Sequence, residues 1–180
     1  MKRLFNPQSK TGYRLMVWTF RIMDLFGKPD RRLEDFRLQT GNVVVDFGCG
    51  PGRYIRKAAD QVGPNGHVYA ADIHPMAIDL VRQKIDKYRL ANVTPVLLGD
   101  KPGTIPDRSA DVVYALDMFH QVDDPVTFLE GIHRIVKPKG VLYLEDGHQP
   151  RSQSLDKVQR SKHWRVAREN EQWMELRPAA

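Results

Sequence analysis

A single cysteine, Cys49, occurs in 180 residues. One thiol excludes a disulfide framework and any cysteine-rich metal site, and it fits a reducing compartment. Long apolar runs are missing too. The patch Leu15-Met-Val-Trp-Thr-Phe20 is short and bounded by Arg14, Arg21 and Asp24, which suits neither a secretory signal nor a membrane span. Neither repeats nor low-complexity tracts break the chain. The expectation is one globular domain with a well-buried core, in the cytoplasm.

Acidic charge is the scarcer sign, with 22 Asp and Glu against 28 Lys and Arg and a net charge of +6. The surplus sits in residues 1–41 and in the last thirty, and the middle is slightly acidic. Basic flanks suit an anionic substrate, a nucleic acid or a membrane surface, or simply a solvated exterior.

What is present is concentrated in Val43-Val-Val-Asp-Phe-Gly-Cys-Gly-Pro-Gly-Arg-Tyr54. Three β-branched residues predict a buried strand. Asp46 closes it, Gly48, Gly50 and Gly52 follow at alternate positions, and Tyr54-Ile-Arg-Lys-Ala-Ala59 has helical composition. Glycines belong in a tight turn that uses positive φ and lets a ligand approach the backbone. The helix start behind it offers unpaired N–H groups and a positive dipole end. In the dinucleotide fingerprint Gly-x-Gly-x-x-Gly the third glycine comes one residue later. An acid at Asp46 would also repel a pyrophosphate, whereas it would attract an ammonium or a ribose hydroxyl.

Further along, His67-Val-Tyr-Ala-Ala71 reads as a second strand ending on Asp72, about twenty residues past the turn, where nucleotide-binding units place a ribose carboxylate. Pro75 to Tyr88 reads as a helix, and Val93 to Leu98 as a third strand ending in Gly99-Asp100-Lys101. Asp111 to Leu116 forms a fourth strand, followed by Asp117-Met-Phe-His120 and a helix that Pro125 opens. Lys137-Pro-Lys-Gly140 reads as a turn before a fifth strand, Val141 to Glu145. The stretch from Leu155 to Ser161 suits a short helix, and Trp164 to Leu176 a terminal hairpin. Before all of these, residues 11–26 read as a helix with a broad apolar surface, and Asp30 caps another through about Gln39.

Asp46, Gly48, Gly50 and Gly52 match the pattern Asp-x-Gly-x-Gly-x-Gly one for one, and in this the chain resembles the class I S-adenosylmethionine (SAM)-dependent methyltransferases. Phe119-His-Gln-Val-Asp-Asp-Pro125 and Lys137-Pro-Lys-Gly140 resemble segments of the small-molecule group related to ubiquinone and menaquinone biosynthesis. The likeness covers about residues 40–147. It implies an α/β fold: a three-layer, doubly wound sandwich with a seven-stranded, mostly parallel sheet and an antiparallel C-terminal hairpin. Residues 1–180 form one methyltransferase domain on this reading, with 1–41 a helical lid and 42–180 the SAM-binding core.

The resemblance also assigns roles. Asp46 and the backbone of Gly48, Cys49, Gly50, Pro51 and Gly52 would hold the methionine part of SAM, and Tyr54 is a further cofactor contact. Asp72 would take the ribose, and Asp100 the adenine, with Ile73, Met76, Lys101 and Met118 flanking the purine; Gly99, Leu116 and Asp117 are further cofactor contacts. Asp117 and His120 are the candidate catalytic groups, because an acceptor that loses a proton needs a base. Tyr13, Val17, Phe119, Glu145 and His148 are the candidate acceptor contacts. S-adenosylhomocysteine (SAH) would be the product, and no metal is required.

A small molecule is the favoured partner. Nucleic acid is less favoured, since the fourth strand lacks the Asn/Asp-Pro-Pro-aromatic signature of base N-methylation. Absence of a thiol cluster argues against arsenite. A SAM-binding subunit without turnover and an RNA or protein methyltransferase stand as the alternatives, and the glycine spacing disfavours a nicotinamide oxidoreductase.

Overall fold

Val44 and Val45 are neighbours in the chain, are both fully buried, and belong to different hydrophobic clusters. A strand covered on both faces requires that split, since successive side chains point to opposite sides of a sheet. The computed structural model describes residues 29–99 and 105–179. The expected helix over 11–26, with Tyr13 and Val17, and the pair Asp100 and Lys101 lie outside those residues.

A 3-10 helix, Pro29–Phe36, precedes β1 (Val43–Phe47), α1 (Ile55–Val62), β2 (His67–Asp72), α2 (Pro75–Tyr88), β3 (Val93–Leu97) and β4 (Ala110–Ala115). A short 3-10 turn, Phe119–Gln121, leads to α3 (Pro125–Ile135), β5 (Val136–Glu145), α4 (Arg151–Ser161), β6 (Trp164–Glu169) and β7 (Trp173–Pro178). The seven strands form one sheet in the order β3-β2-β1-β4-β5-β7-β6. The pairs β1–β2, β1–β4, β2–β3 and β4–β5 are parallel, while β7 runs antiparallel to β5 and to β6.

One face of the sheet is covered by Ile55, Ala58 and Val62 of α1, Val81 of α2, and Leu33 and Phe36. The other is covered by Phe128, Leu129, Ile132 and Ile135 of α3 and Val158 of α4. These are the three layers expected. Because the chain winds outward from β1 in both directions, the carboxyl ends of β1 and β4 form a switch point, the usual place for a ligand crevice in open parallel sheets. No helix among the described residues is long and apolar enough to cross a membrane.

Two expectations are corrected. The helix expected from a cap at Asp30 to about Gln39 is a 3-10 helix that opens at Pro29, includes Asp30 and stops at Phe36, with Arg37 following at φ 50°. Side chains three apart eclipse in a 3-10 helix, which lets Leu33 and Phe36 both reach the core. Phe36 stacks on Tyr143 with ring centroids 4.5 Å apart and meets Trp173 edge-on at 6.2 Å.

The second correction concerns Lys137 to Gly140, which lie inside β5 rather than in a turn. The register jumps from Ala110 opposite Val136 to Val112 opposite Val141. The extra residues form an irregularity in the ladder, where a proline such as Pro138 is tolerated because a donor is already missing.

Gly140 is what lets this irregularity lie flat. A Cβ there would stand 2.7 Å from Val136 Cγ1, 2.9 Å from the Ala110 carbonyl oxygen and 3.0 Å from that of Asp111. Backbone cannot give way cheaply, so Gly140→Ala is expected to lower stability by about 1–3 kcal/mol. Gly99→Ala, where a Cβ meets nothing within 4 Å, is expected to stay within about 0.5 kcal/mol of the parent. Urea denaturation of the two variants checks the contrast, and equal midpoints would refute this account of β5.

Candidate active site

The glycine turn after β1 is anchored at both ends. Gly48 and Cys49 donate their N–H groups to the Ala71 carbonyl at 2.8 and 3.0 Å, and Gly52 donates to Cys49 at 2.9 Å. Gly48, Gly50 and Gly52 have φ of 82°, 51° and 71°, so all three use the region that side chains disfavour. Their surroundings differ. A Cβ on Gly52 would press on Ile55 and Val81 at 3.0 and 3.2 Å, one on Gly48 on Met118 at 3.1 Å, and one on Gly50 would meet nothing within 4 Å. Gly52 thus serves close packing, and Gly50 leaves the crevice open. Lys84, from α2, donates to the Gly52 carbonyl at 2.8 Å.

Asp72 holds the middle of the turn. Its Oδ2 accepts the Gly50 N–H at 2.9 Å and its Oδ1 the His74 N–H at 2.8 Å. His74 in turn caps α2, its Nδ1 accepting the Met76 N–H at 3.2 Å, with Pro75 in the first turn. Burial raises the Asp72 pKa above its ordinary value, and the N–H groups of His74 and Gly50 oppose that shift.

Asp46 is buried at the tip of β1, and its Oδ2 has no hydrogen-bond partner among the described residues. Burial pushes its pKa up to about 8; Asp72 adds to the shift, while Tyr114 and Lys84 oppose it. The buried Tyr114 hydroxyl opposes the shift most strongly, through hydrogen bonding toward this carboxyl, yet it stands outside full bonding geometry and leaves Oδ2 uncommitted.

Other sequence-derived candidates divide into those near this cradle and those in the core. Ile73 and Met118 are half-buried at its edge, Met76 and Pro51 are half-buried, and Gly99 is exposed. Leu116 is buried in the layer that contains α1. Cys49 is buried as well, and burial, then Asp46 and Asp72, raise its thiol pKa well above the ordinary value, which leaves it inert. Tyr54 begins α1 without a side-chain capping bond and packs edge-on against Tyr114 at 6.4 Å, so its ring belongs to the core under the turn.

Phe119 and Glu145, expected at the acceptor, are committed elsewhere. Phe119 is fully buried against Phe128, with centroids 5.8 Å apart, because its 3-10 turn aims it at α3. Glu145 is buried and accepts both oxygens' worth of contact from Arg32 Nη1, at 2.9 Å each, plus the Asp117 N–H at 3.2 Å. Burial raises the Glu145 pKa and Arg32 opposes the rise.

Asp117, His120 and His148 do come together. His148 Nε2 lies 3.7 Å from Asp117 Oδ1, and the two imidazole rings are 4.9 Å apart, edge to face. Burial lowers the His120 pKa, Asp117 opposes this, and His148 and Lys157 reinforce it.

Three contributors escape a sequence reading. Lys84 is a half-buried polar residue in α2, Arg32 is one of many N-terminal basic residues, and Gly147 carries no motif. No periodicity singles out any of them; each acts through a contact that only the folded chain creates.

The residues present fit SAM. A buried carboxyl with an uncommitted oxygen suits a cationic group, the open backbone at Gly50 suits close approach, and the half-buried Ile73, Met76 and Met118 suit a flat apolar base. Residues 45–144 match the family described as methyltransferase domain. The chain is 31% identical over 134 residues to the demethylmenaquinone methyltransferase of Listeria welshimeri, covering 74% of this chain and 56% of that one. It is 29% identical over 118 residues to the enzyme of the same name from Geobacillus sp. strain WCH70, covering 66% and 50%. The chain thus spans about half the length of the curated relatives it matches.

Among solved structures, a SAM-dependent methyltransferase from Aquifex aeolicus superposes with a TM-score of 0.71 at 25% identity, covering 83% of this chain and 87% of that one. A protein from Methanococcus maripaludis described as a putative SAM-dependent methyltransferase shares the fold, with a TM-score of 0.76 at 15% identity over 97% and 96% of the two chains. With the family match running from β1 to β5 and the glycine cradle at its head, the chain belongs to the class I SAM-dependent methyltransferases.

Proposed function

We propose that this domain transfers a methyl group from SAM to a small-molecule acceptor, with a ring of the demethylmenaquinone type as the first candidate. The names of the relatives support that choice of acceptor. The observation that carries the reading is the Asp46 carboxyl, buried with one oxygen uncommitted just ahead of the glycine turn. A buried acid with an oxygen left unpartnered is costly, and a ligand that brings a cation there offsets the cost. When bound, SAM supplies a methyl group already activated on a positively charged sulfur.

The protein's part is to bind and align, which can contribute about 7–11 kcal/mol in favourable cases. Asp46 and the backbone from Gly48 to Gly52 hold the methionine portion. Asp72 retains lone pairs after its two backbone bonds, and these receive ribose hydroxyls. Ile73, Met76, Met118 and Gly99 border the purine, and Asp100 and Lys101 are assigned to it on the resemblance alone, as Tyr13 and Val17 are to the acceptor. Asp117, His120 and His148 stand at the crevice mouth, where an acceptor's proton would leave. Glu145 braces Asp117 from behind through its amide instead of touching the acceptor.

Two measurements test this assignment. Asp72→Ala is expected to weaken SAH binding at least about tenfold, roughly 1.4 kcal/mol. Asp111 accepts the Val43 N–H at 2.9 Å and the Lys137 ammonium at 2.7 Å. Asp111→Ala is therefore expected to cost about 1–3 kcal/mol of stability while leaving SAH affinity within about twofold, a useful contrast by calorimetry. Equal affinities in the two variants would remove the ribose role from Asp72.

The Asp46 carboxyl gives a signed pH dependence. Its pKa in the folded chain, about 8, lies above the ordinary carboxyl value of 3.8. The folded state therefore holds the proton longer, and this group's contribution to stability falls as pH rises from about 4 to about 8. Asp46→Asn is expected to stabilise the cofactor-free protein, by an amount on the order of a few kcal/mol at neutral pH that grows across this window. The same variant is expected to bind SAM more weakly. Thermal melts from pH 5 to 8 that showed no growing advantage for Asn would contradict the buried, uncompensated acid.

A further inference from the structure

Beyond the cradle, the carboxyl edge carries a second chemical cluster. Asp117 follows β4, His120 lies on the 3-10 turn after it, and His148 follows β5. One donor atom from each of the three lies within 4.8 Å of the other two. We propose that Asp117, His120 and His148 form a binding site for a divalent transition-metal ion of the zinc, cobalt or nickel type.

Four observations carry the inference. The donor set is two imidazoles and one carboxylate, which suits first-row transition metals rather than magnesium or calcium, whose sites are built from oxygen. Donors sharing an ion at about 2.0–2.2 Å must lie roughly 3–3.5 Å apart. Asp117 and His148 are already at 3.7 Å, and with side chains 43% and 80% exposed they can turn through the remaining distance. Nδ1 of His120 is buried and has no hydrogen-bond partner among the described residues, while Nε2 meets the Gln121 amide at 3.2 Å. A buried imidazole nitrogen left over in this way is rare in a finished fold.

The backbone is bent to make the cluster. Asp117, a non-glycine residue, stands at φ 51°, a left-handed conformation that side chains disfavour. Its amide is held in that pose by Glu145. Gly147, at φ 68°, lies so close to His120 that a Cβ would fall 2.0 Å from Nδ1. Omitting that side chain lets the His120 ring approach the segment that carries His148. Lys157 is the opposing cation on this side, its ammonium bonded to the Phe119 carbonyl and to Gln149.

Three protein donors leave coordination positions open. An oxygen of the acceptor occupying one would become more acidic there, so the site favours a hydroxyl-bearing acceptor; this last point rests on the methyltransferase reading above, whereas the metal site does not.

The experiment uses the full chain without a polyhistidine tag and cobalt(II) alone as probe. Absorption and calorimetric titrations are expected to show saturable binding of one ion per chain. His148→Ala is expected to weaken it at least about tenfold without changing SAH affinity or the melting temperature, because His148 is mostly exposed. Gly147→Ala is expected to weaken it as well, although it removes no donor. Equal cobalt affinity in the parent and His148→Ala, or no saturable binding below about millimolar, overturns the site. SAH titration keeps the two readings apart: cobalt binding without SAH binding would sink the cofactor assignment alone, and the reverse would sink the metal site alone.

Discussion

The carboxylate of Asp72 is the joint on which the crevice is assembled. One oxygen fixes Gly50 at 2.9 Å and the other fixes the amide of His74 at 2.8 Å. Through the first bond the end of β2 sets the shape of the turn that follows β1, and through the second it sets where α2 begins. Both N–H groups would otherwise need water or another acceptor. Charge-assisted bonds of this kind are about twice as strong as neutral ones, which suits a loop whose glycines supply no side-chain packing. Met118 and Lys84 then close the turn from the two flanks, one through van der Waals contact with Gly48 and one through the Gly52 carbonyl.

Asp46 shows the opposite arrangement. Asp72 has its needs met by backbone, whereas Asp46 is sealed in with Tyr114 and has an oxygen left over. Two carboxyls a strand apart therefore have different proton affinities for reasons of hydrogen bonding as well as burial. Such unmet capacity is destabilising in a finished core, and it is tolerated at sites completed by a ligand.

Much of the fold was legible because its signals are local. Val43 to Val45, the alternate glycines and the helical pattern from Pro75 to Tyr88 each specify an element within a few residues, and the strand-end acids follow from element order. The turn expected at Lys137 to Gly140 was a local signal overruled by pairing: α3 ends at Ile135 and β5 begins at Val136, so the chain has to absorb Pro138 and Gly140 within the ladder. Phe119 misled for a related reason. Its position beside Asp117 is correct, but a 3-10 turn rotates consecutive side chains far enough that Phe119 enters the core while His120 stays at the mouth. Glu145 looked available because its partner, Arg32, is 113 residues away, and no pattern in the sequence couples them.

That distant pairing has a mechanical consequence. Arg32 belongs to the 3-10 helix that leads into the domain, and Glu145 also holds the amide of Asp117. Drawing the helix away would leave the buried Glu145 carboxylate without its cation and raise its proton affinity further. A protonated carboxyl is a poorer acceptor, so Asp117 would be freed from the left-handed pose that turns it toward the two histidines. The leading segment and the crevice mouth are therefore thermodynamically linked: whatever seats Pro29–Phe36 on the sheet also tightens the mouth, and anything that tightens the mouth favours the seated helix in equal measure.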